Sequence, residues 1–324
     1  FFHLIMTSHF KMADTILTFL GIFCTLFAFF YGTFHFLRFE KFDQIRVNNF
    51  LRKNAANNHA FVVGHRGSTL EAPENTLVAF HHAAESGADA VEFDVDFTKD
   101  GHAIIIHDAT VDRTTNSTGR VCEHTLQEMR KLNALGDVFN NSEKYTFCQV
   151  PTLVETIETC LELGLKMFIE VKAYQHSAKA ALLLRDLFKE YNLYEKAIVL
   201  SFYPNVVYQV RKADPNILVA QNWIKRHLSY NRDGTPKHSH WLATKVARSL
   251  DFLLELSVHT WLYNILRFPV LITHQSEASG LYVQLWKESN VSVIVYGVKH
   301  KQEKDYFTHL GCPVIVDNVK ELAL

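Results

Sequence analysis

The chain has 324 residues, 48% of them apolar and 21% charged, so it can bury a large core and global disorder is excluded. With 33 basic and 34 acidic residues the net charge is −1, too weak a positive field for a nucleic-acid partner. Five cysteines (Cys24, Cys122, Cys148, Cys160, Cys312) show no CxxC spacing, which argues against a zinc ribbon or a disulfide-rich miniprotein.

Taken in chain order, the first feature is apolar. Residues 1–42 hold 12 of the 25 phenylalanines, and the 22 residues from Ile16 to Leu37 contain no Asp, Glu, Lys or Arg. At 1.5 Å per residue they span roughly 33 Å, enough to cross a hydrocarbon core of about 30 Å. Residues 1–42 are therefore read as a membrane anchor with its span at about 16–37. Lys11 precedes the span, while Arg38, Lys41, Arg46, Arg52 and Lys53 follow it, which by the positive-inside rule would put the rest in the cytosol. Three N-glycosylation sequons, beginning at Asn116, Asn140 and Asn290, point the other way.

Residues 43–58 are polar and Asn-rich and read as a linker. From residue 59 to 324 short apolar runs alternate with helical patterns. Strands are expected at Ala60–Gly64, Ala88–Val95, Ala103–His107, Lys166–Val171, Ala197–Phe202, Ile217–Gln221, Val291–Val298 and Cys312–Val316. Helices are expected at Thr76–Ser86, Leu153–Leu163, Ala178–Tyr191, Asn205–Ala213 and Gln284–Glu288, and residues 108–150 look like an insertion with one helix near Thr125–Leu132. Strands alternating with helices, near eight in number over 266 residues, favour an eight-stranded α/β barrel over an open doubly wound sheet. From 241 to 268 the apolar residues fall at helical spacing. This stretch either packs on the barrel as an amphipathic helix or lies in the bilayer surface, and the interfacial placement is the expectation. A spanning helix there would separate the last two strands from the first six.

Polar residues stand where the expected strands end. His65-Arg66 closes the first, Glu92 and Asp94 the second, His107-Asp108 the third, and Glu170 and Lys172 the fourth. Active sites of α/β barrels form at C-terminal strand ends. Residues two apart on a strand share a side, so Glu92 faces with Asp94 and Glu170 with Lys172. Three carboxylates so placed repel unless a cation joins them, and oxygen ligands suit Mg²⁺ or Ca²⁺; zinc with histidine ligands is the alternative. Arg66 and Lys172 then remain for an anion, and phosphate is the natural one. His65 and His107 supply an acid/base pair.

The motifs His65-Arg66-Gly67, Ala72-Pro73-Glu74-Asn75-Thr76, Glu92-Phe93-Asp94, His107-Asp108, Asp112-Arg113-Thr114-Thr115 with Thr118-Gly119, and Glu170-Val171-Lys172 together resemble the glycerophosphodiester phosphodiesterase family. The resemblance implies a TIM (β/α)8 barrel, with 108–150 as the small inserted region, and metal-dependent hydrolysis of glycerophosphodiesters such as glycerophosphoinositol to glycerol 3-phosphate and an alcohol. It implies Glu92, Asp94 and Glu170 as metal ligands, Mg²⁺ ahead of Ca²⁺. His65 and His107 would be the acid/base pair, Arg66 and Lys172 the phosphate ligands, and Glu74 a supporting residue near the glycerol hydroxyls or the metal. The last strand departs from the family: Tyr296-Gly297-Val298-Lys299 stands where Trp-Thr-Val-Asn is usual, which would add charge near the mouth. Membrane-associated relatives imply a barrel on the lumenal or extracellular side of the plasma membrane or an endomembrane, with the lipid bilayer and the diester substrate as partners. Two other readings share these residues: a lysophospholipase D or N-acyl glycerophosphoethanolamine phosphodiesterase, and a membrane scaffold without catalysis that binds a protein partner.

Overall fold

The structure, a computed structural model, describes residues 18, 20–26, 28–29, 31–52, 61–140, 142–231 and 234–322. The start of the expected anchor and residues 53–60 lie outside them. The first helix, α1 (Leu20–Leu37), is long and apolar enough to cross a membrane, and none of its described residues is buried against protein. Two residues later the chain is fastened to the main body: Phe39 N donates to Ile265 O at 3.0 Å. Helix α2 (Gln44–Phe50) follows, its first turn capped by the Asp43 carboxylate. It falls inside the stretch read as a polar linker. Only Val47 and Phe50 of α2 are buried, and two apolar positions are too few to register as a helical period.

The body alternates β1 (Val62–His65), α3 (Leu77–Glu85), β2 (Ala90–Phe97), β3 (Ala103–Ile105), the short helices α4 (Leu126–Met129) and α5 (Gly136–Phe139), α6 (Leu153–Glu162), β4 (Lys166–Val171), α7 (Ser177–Glu190), β5 (Ala197–Ser201), α8 (Pro204–Ala213) and β6 (Val219–Trp223). Then come α9 (Trp241–Ser257), a π turn (Val258–Leu262), α10 (Tyr263–Leu266), β7 (Val270–His274), α11 (Gly280–Glu288), β8 (Ser292–Val298), α12 (Lys301–His309), β9 (Val314–Val316) and α13 (Val319–Leu322). Parallel pairing runs β1-β9-β8-β7-β6-β5-β4-β2 and closes through β1–β2, giving the expected eight-stranded barrel. Helix entry is set by local chemistry: Thr76 caps α3, and Thr152 with Glu155 forms a capping box on α6.

The run at 103–107 is not a barrel strand. It forms β3, which pairs antiparallel with β2, Phe97 opposite Ala103 and Val95 opposite Ile105. The reason is connection length: residues 98–102 suffice for a hairpin, whereas a parallel return needs a crossover of about a dozen residues. The eighth barrel position belongs to β7, which the sequence reading passed over, as it did α12.

Two apolar layers result. Outside the barrel, Phe93, Ile169, Val199, Val293 and their neighbours pack against the helices. Inside, Val63, Ala90, Phe168, Ile198, Leu218, Ile272, Ile294 and Ile315 fill the lower barrel, and Val47 and Phe50 of α2 seal its floor. A third cluster (Ile104, Ile106, Val111, Met129, Val150) is the core of the inserted region. Arg211 of α8 stitches the N-terminal segment to this body. It is buried, donates to the carbonyls of Leu266, Arg267 and Glu40, and lies over the Phe39 and Phe42 rings. Burial pulls its guanidinium down to about 10.

Helix α9 and the π turn after it pack one face on the body and expose another. Ala247, Asp251 and Val258 are buried and Leu254 packs on the core, while Trp241, Leu242, Val246, Leu250, Phe252, Leu253, Leu256 and Trp261 are exposed.

Candidate active site

The interior column of each strand turns from apolar to polar on the way up. Along β2 it reads Ala90, Glu92, Asp94; along β4, Phe168, Glu170, then Lys172 just past its end. Val63 leads to His65, Ala220 to Asn222, Ile272 to His274 and Ile315 to Asp317. The C-terminal mouth thereby receives a ring of polar groups over an apolar floor.

Glu92, Asp94 and Glu170 are all buried and offer carboxylate oxygens within 4.8 Å of one another. Lys172 Nζ sits 2.5 Å from Glu170 Oε1 and 3.1 Å from Asp94 Oδ1. Asn75 donates to Asp94 at 2.8 Å and Asn222 to Glu170 at 3.1 Å. Burial and the charges of Asp94 and Glu170 push Glu92 well above the ordinary carboxylate range, against the pull of Arg66 and Lys172. Burial opposes the Asp94 charge too, but Lys172, His107 and Arg66 together outweigh it and hold that group low. Three anionic oxygen donors, with one still short of positive charge, fit a hard divalent cation; the all-carboxylate set does not suit zinc bound by histidine.

Arg66 follows β1 in a left-handed conformation (φ 51°), a strained geometry that points its N–H at Glu92 Oε2, 3.1 Å away. The turn is made possible by glycine on either side. A Cβ on Gly64 would lie 2.3 Å from Gly67 O, and one on Gly67 (φ 94°) would lie 2.6 Å from Ala79 Cβ. The Arg66 guanidinium spans Glu74 Oε1 at 2.9 Å and Asp94 Oδ2 at 3.4 Å. Glu74 also takes two bonds from Arg113, at 2.7 and 2.9 Å. It therefore positions two arginines; the structure places it outside the three-carboxylate cluster. Burial would raise its pKa, but the two arginines hold it below the usual value.

The histidines are oriented alike. His65 Nδ1 lies 2.6 Å from Asp317 Oδ1, and His107 Nδ1 lies 2.6 Å from Asp108 Oδ1. Asp108 is held in turn by Arg113 at 2.7 Å. With Nδ1 engaged, Nε2 of each ring is the nitrogen left for chemistry. Burial lowers the His107 pKa, with Lys172 and Arg66 adding to it and Asp94 opposing. His107 comes from the β2–β3 hairpin: Ile106 N bonds Asp94 O at 2.9 Å, which sets the next residue beside the carboxylates.

All seven expected residues other than Glu74 line one cleft of about 840 Å³. The cleft continues outward along Phe202, Tyr203, Ile224 and Tyr230, with Lys225, Arg226 and Lys237 on its outer wall. Tyr296 lines it too. Lys299 does not: it is exposed one residue past the C-terminal end of β8, where its N–H bonds Glu303 of α12. Sequence reading missed Asp317, Asn222 and the roles of Asn75, Asp108 and Arg113.

A sequence model described as the glycerophosphoryl diester phosphodiesterase family matches residues 65–321. Mouse glycerophosphodiester phosphodiesterase 1 is 34% identical over 287 residues, covering 88% of this chain and 86% of that protein. The human protein of the same name is 33% identical over 292 residues, 89% of this chain and 87% of that one. Among solved structures, an Oleispira antarctica phosphodiesterase in complex with the product sn-glycerol-3-phosphate superposes with a TM-score of 0.62 at 23% identity, over 81% of this chain and 94% of that one.

Proposed function

The chain belongs to the glycerophosphoryl diester phosphodiesterase family and is an enzyme of that class, a phosphoric diester hydrolase; from this we propose how its site works and on what. The proposed reaction cleaves deacylated phospholipids such as glycerophosphoinositol to glycerol 3-phosphate and a free alcohol. One observation carries it: three buried carboxylates meet within 4.8 Å at the barrel mouth, between two histidines each braced by its own aspartate. The Oleispira structure, which holds sn-glycerol-3-phosphate, supports the same product.

Glu92, Asp94 and Glu170 are the proposed metal ligands, with Mg²⁺ ahead of Ca²⁺. Once bound, the cation supplies Lewis-acid stabilisation of charge on the phosphoryl oxygens. Arg66 and Lys172 bind those oxygens, and the Glu74–Arg113 pair keeps Arg66 extended into the cleft. One histidine takes a proton at Nε2 from the attacking hydroxyl, water or the glycerol 2-hydroxyl. The other delivers a proton from Nε2 to the departing alkoxide. Asp317 and Asp108 hold the two rings in the tautomer that makes this possible.

Purified enzyme is expected to release glycerol 3-phosphate from glycerophosphoinositol and glycerophosphocholine, to stop in EDTA and to recover on adding Mg²⁺. Turnover unchanged by EDTA would overturn the metal assignment, and cleavage of only an acylated analogue would favour the lysophospholipase reading.

The barrel is proposed to lie on the lumenal or extracellular side of the membrane that α1 crosses. The asparagines of the three sequons, Asn116, Asn140 and Asn290, are all exposed, which supports that side. Protein made in secretory cells should lose apparent mass on N-glycosidase treatment. No shift, with the barrel open to protease from the cytosolic side of sealed vesicles, would reverse the orientation.

A further inference from the structure

The exposed face of α9 is a patch the catalytic site does not use. Trp241, Leu242, Val246, Leu250, Phe252, Leu253 and Leu256 lie on it, with Trp261 on the π turn that follows, each about half exposed or more, whereas Ala247 and Asp251 on the opposite face and Val258 of the π turn are buried on the body. Soluble surfaces rarely carry so many large apolar residues on one face without a partner.

Its neighbourhood identifies the partner. The α9–π turn–α10 unit runs from the cleft mouth down the barrel's flank, and Ile265, near its lower end, accepts the hydrogen bond from Phe39 N. A single residue, Arg38, separates Phe39 from the end of α1 at Leu37, so the two are at most roughly 7 Å apart along the chain. If α1 spans the bilayer, the lower end of this unit sits at the bilayer surface. At the upper end, the loop that leads into α9 bears Lys225, Arg226 and Lys237 on the outer wall of the cleft. Cations at the rim of an apolar helical face match phosphate headgroups over acyl chains.

We propose that the α9–α10 flank is a lipid-docking surface: it lies along the bilayer interface beside the α1 span and holds the cleft mouth at headgroup level. The barrel then rests on the membrane along its side, with its opening turned toward lipid-derived diesters. Because the span is already in the bilayer, this second contact forms at high effective concentration.

The chain's four tryptophans make the test direct. Trp223 and Trp286 are buried, Trp241 and Trp261 are on the exposed face, and residues 1–42 contain none. Full-length protein is placed one chain per nanodisc, in phosphatidylcholine brominated in the acyl chains or not. Bromolipid should quench about half of the tryptophan emission, and the W241F/W261F variant should lose nearly all of that quenching. Leu253→Gln with Leu256→Gln, both tryptophans kept, should weaken the quenching at least about twofold while hydrolysis of glycerophosphocholine stays unchanged. Native protein quenched no more than W241F/W261F would overturn the proposal. So would an unquenched face that cross-links to a second copy when two chains share a disc. Hydrolysis of the soluble diester, read in parallel, reports separately on the catalytic assignment.

Discussion

Glu170→Gln is expected to lower turnover at limiting Mg²⁺ by about 10²–10³-fold and to leave the fold intact, because losing one anionic ligand removes several kcal/mol of transition-state stabilisation. The side chain is buried at the end of β4, between Lys172 and Asn222. Glutamine keeps its size and still offers an oxygen to Asn222, so the negative charge and the acceptor facing Lys172 are what is lost. Stability should not suffer: the substitution removes one of the like charges that push Glu92 up, at the cost of one partner of Lys172. Raising the Mg²⁺ concentration should recover part of the activity, since the defect lies in holding the cation. A titration giving native turnover at limiting metal would show that Glu170 is not a ligand.

Alanine at His65 or His107 is expected to cost roughly 10²–10⁴-fold in turnover, the usual contribution of one positioned acid or base. The two losses should fall well short of adding in the double variant, since each histidine serves half of one proton exchange. The braces give a finer test. Asp317→Asn keeps the size and a hydrogen-bonding group beside His65 Nδ1 but no longer stabilises the charged ring or enforces one tautomer. It should lower turnover with little change in KM and shift the pH profile, whereas a role confined to packing would leave the profile where it is. Two histidine variants with near-full activity and unchanged circular dichroism would make these rings structural.

The sequence carried the site better than it carried the sheet. Glu92, Asp94, Glu170 and Lys172 were readable because strand periodicity forces residues two apart onto one side, and the structure follows that rule. Asn222 and Asp317 obeyed it too, two residues above the interior Ala220 and Ile315, and a search for an apolar residue followed two later by a polar one would have found both. Asp108 and Arg113 were not reachable this way. They brace His107 and Glu74 from a loop whose path is set by the small core of the inserted region. The misassigned strand had a different origin. Ala103–Ile105 is as apolar as any barrel strand, and only the five-residue connection before it shows that it must run antiparallel. On α9 the periodicity revealed a helix but not which part of its broad apolar arc would meet the barrel. Asp251 marks the barrel side, where it accepts bonds from Leu228 N and Ser229 N.

Anyone wishing to produce the catalytic barrel without its span would look for the place where the polar stretch gives way to the first strand, near residue 59. A cut there would pull the bung from the vessel. Phe50 lies against Phe168, their ring centroids 5.7 Å apart, and Lys166 Nζ gives a 2.6 Å hydrogen bond to Phe50 O. Arg211 would keep its guanidinium in an apolar seam without Glu40 O and without the two rings beneath it. Such a protein would be made with an open, greasy base and would be prone to aggregate for reasons unrelated to the membrane. The serviceable boundary is at Arg38, which discards the span and keeps the stopper.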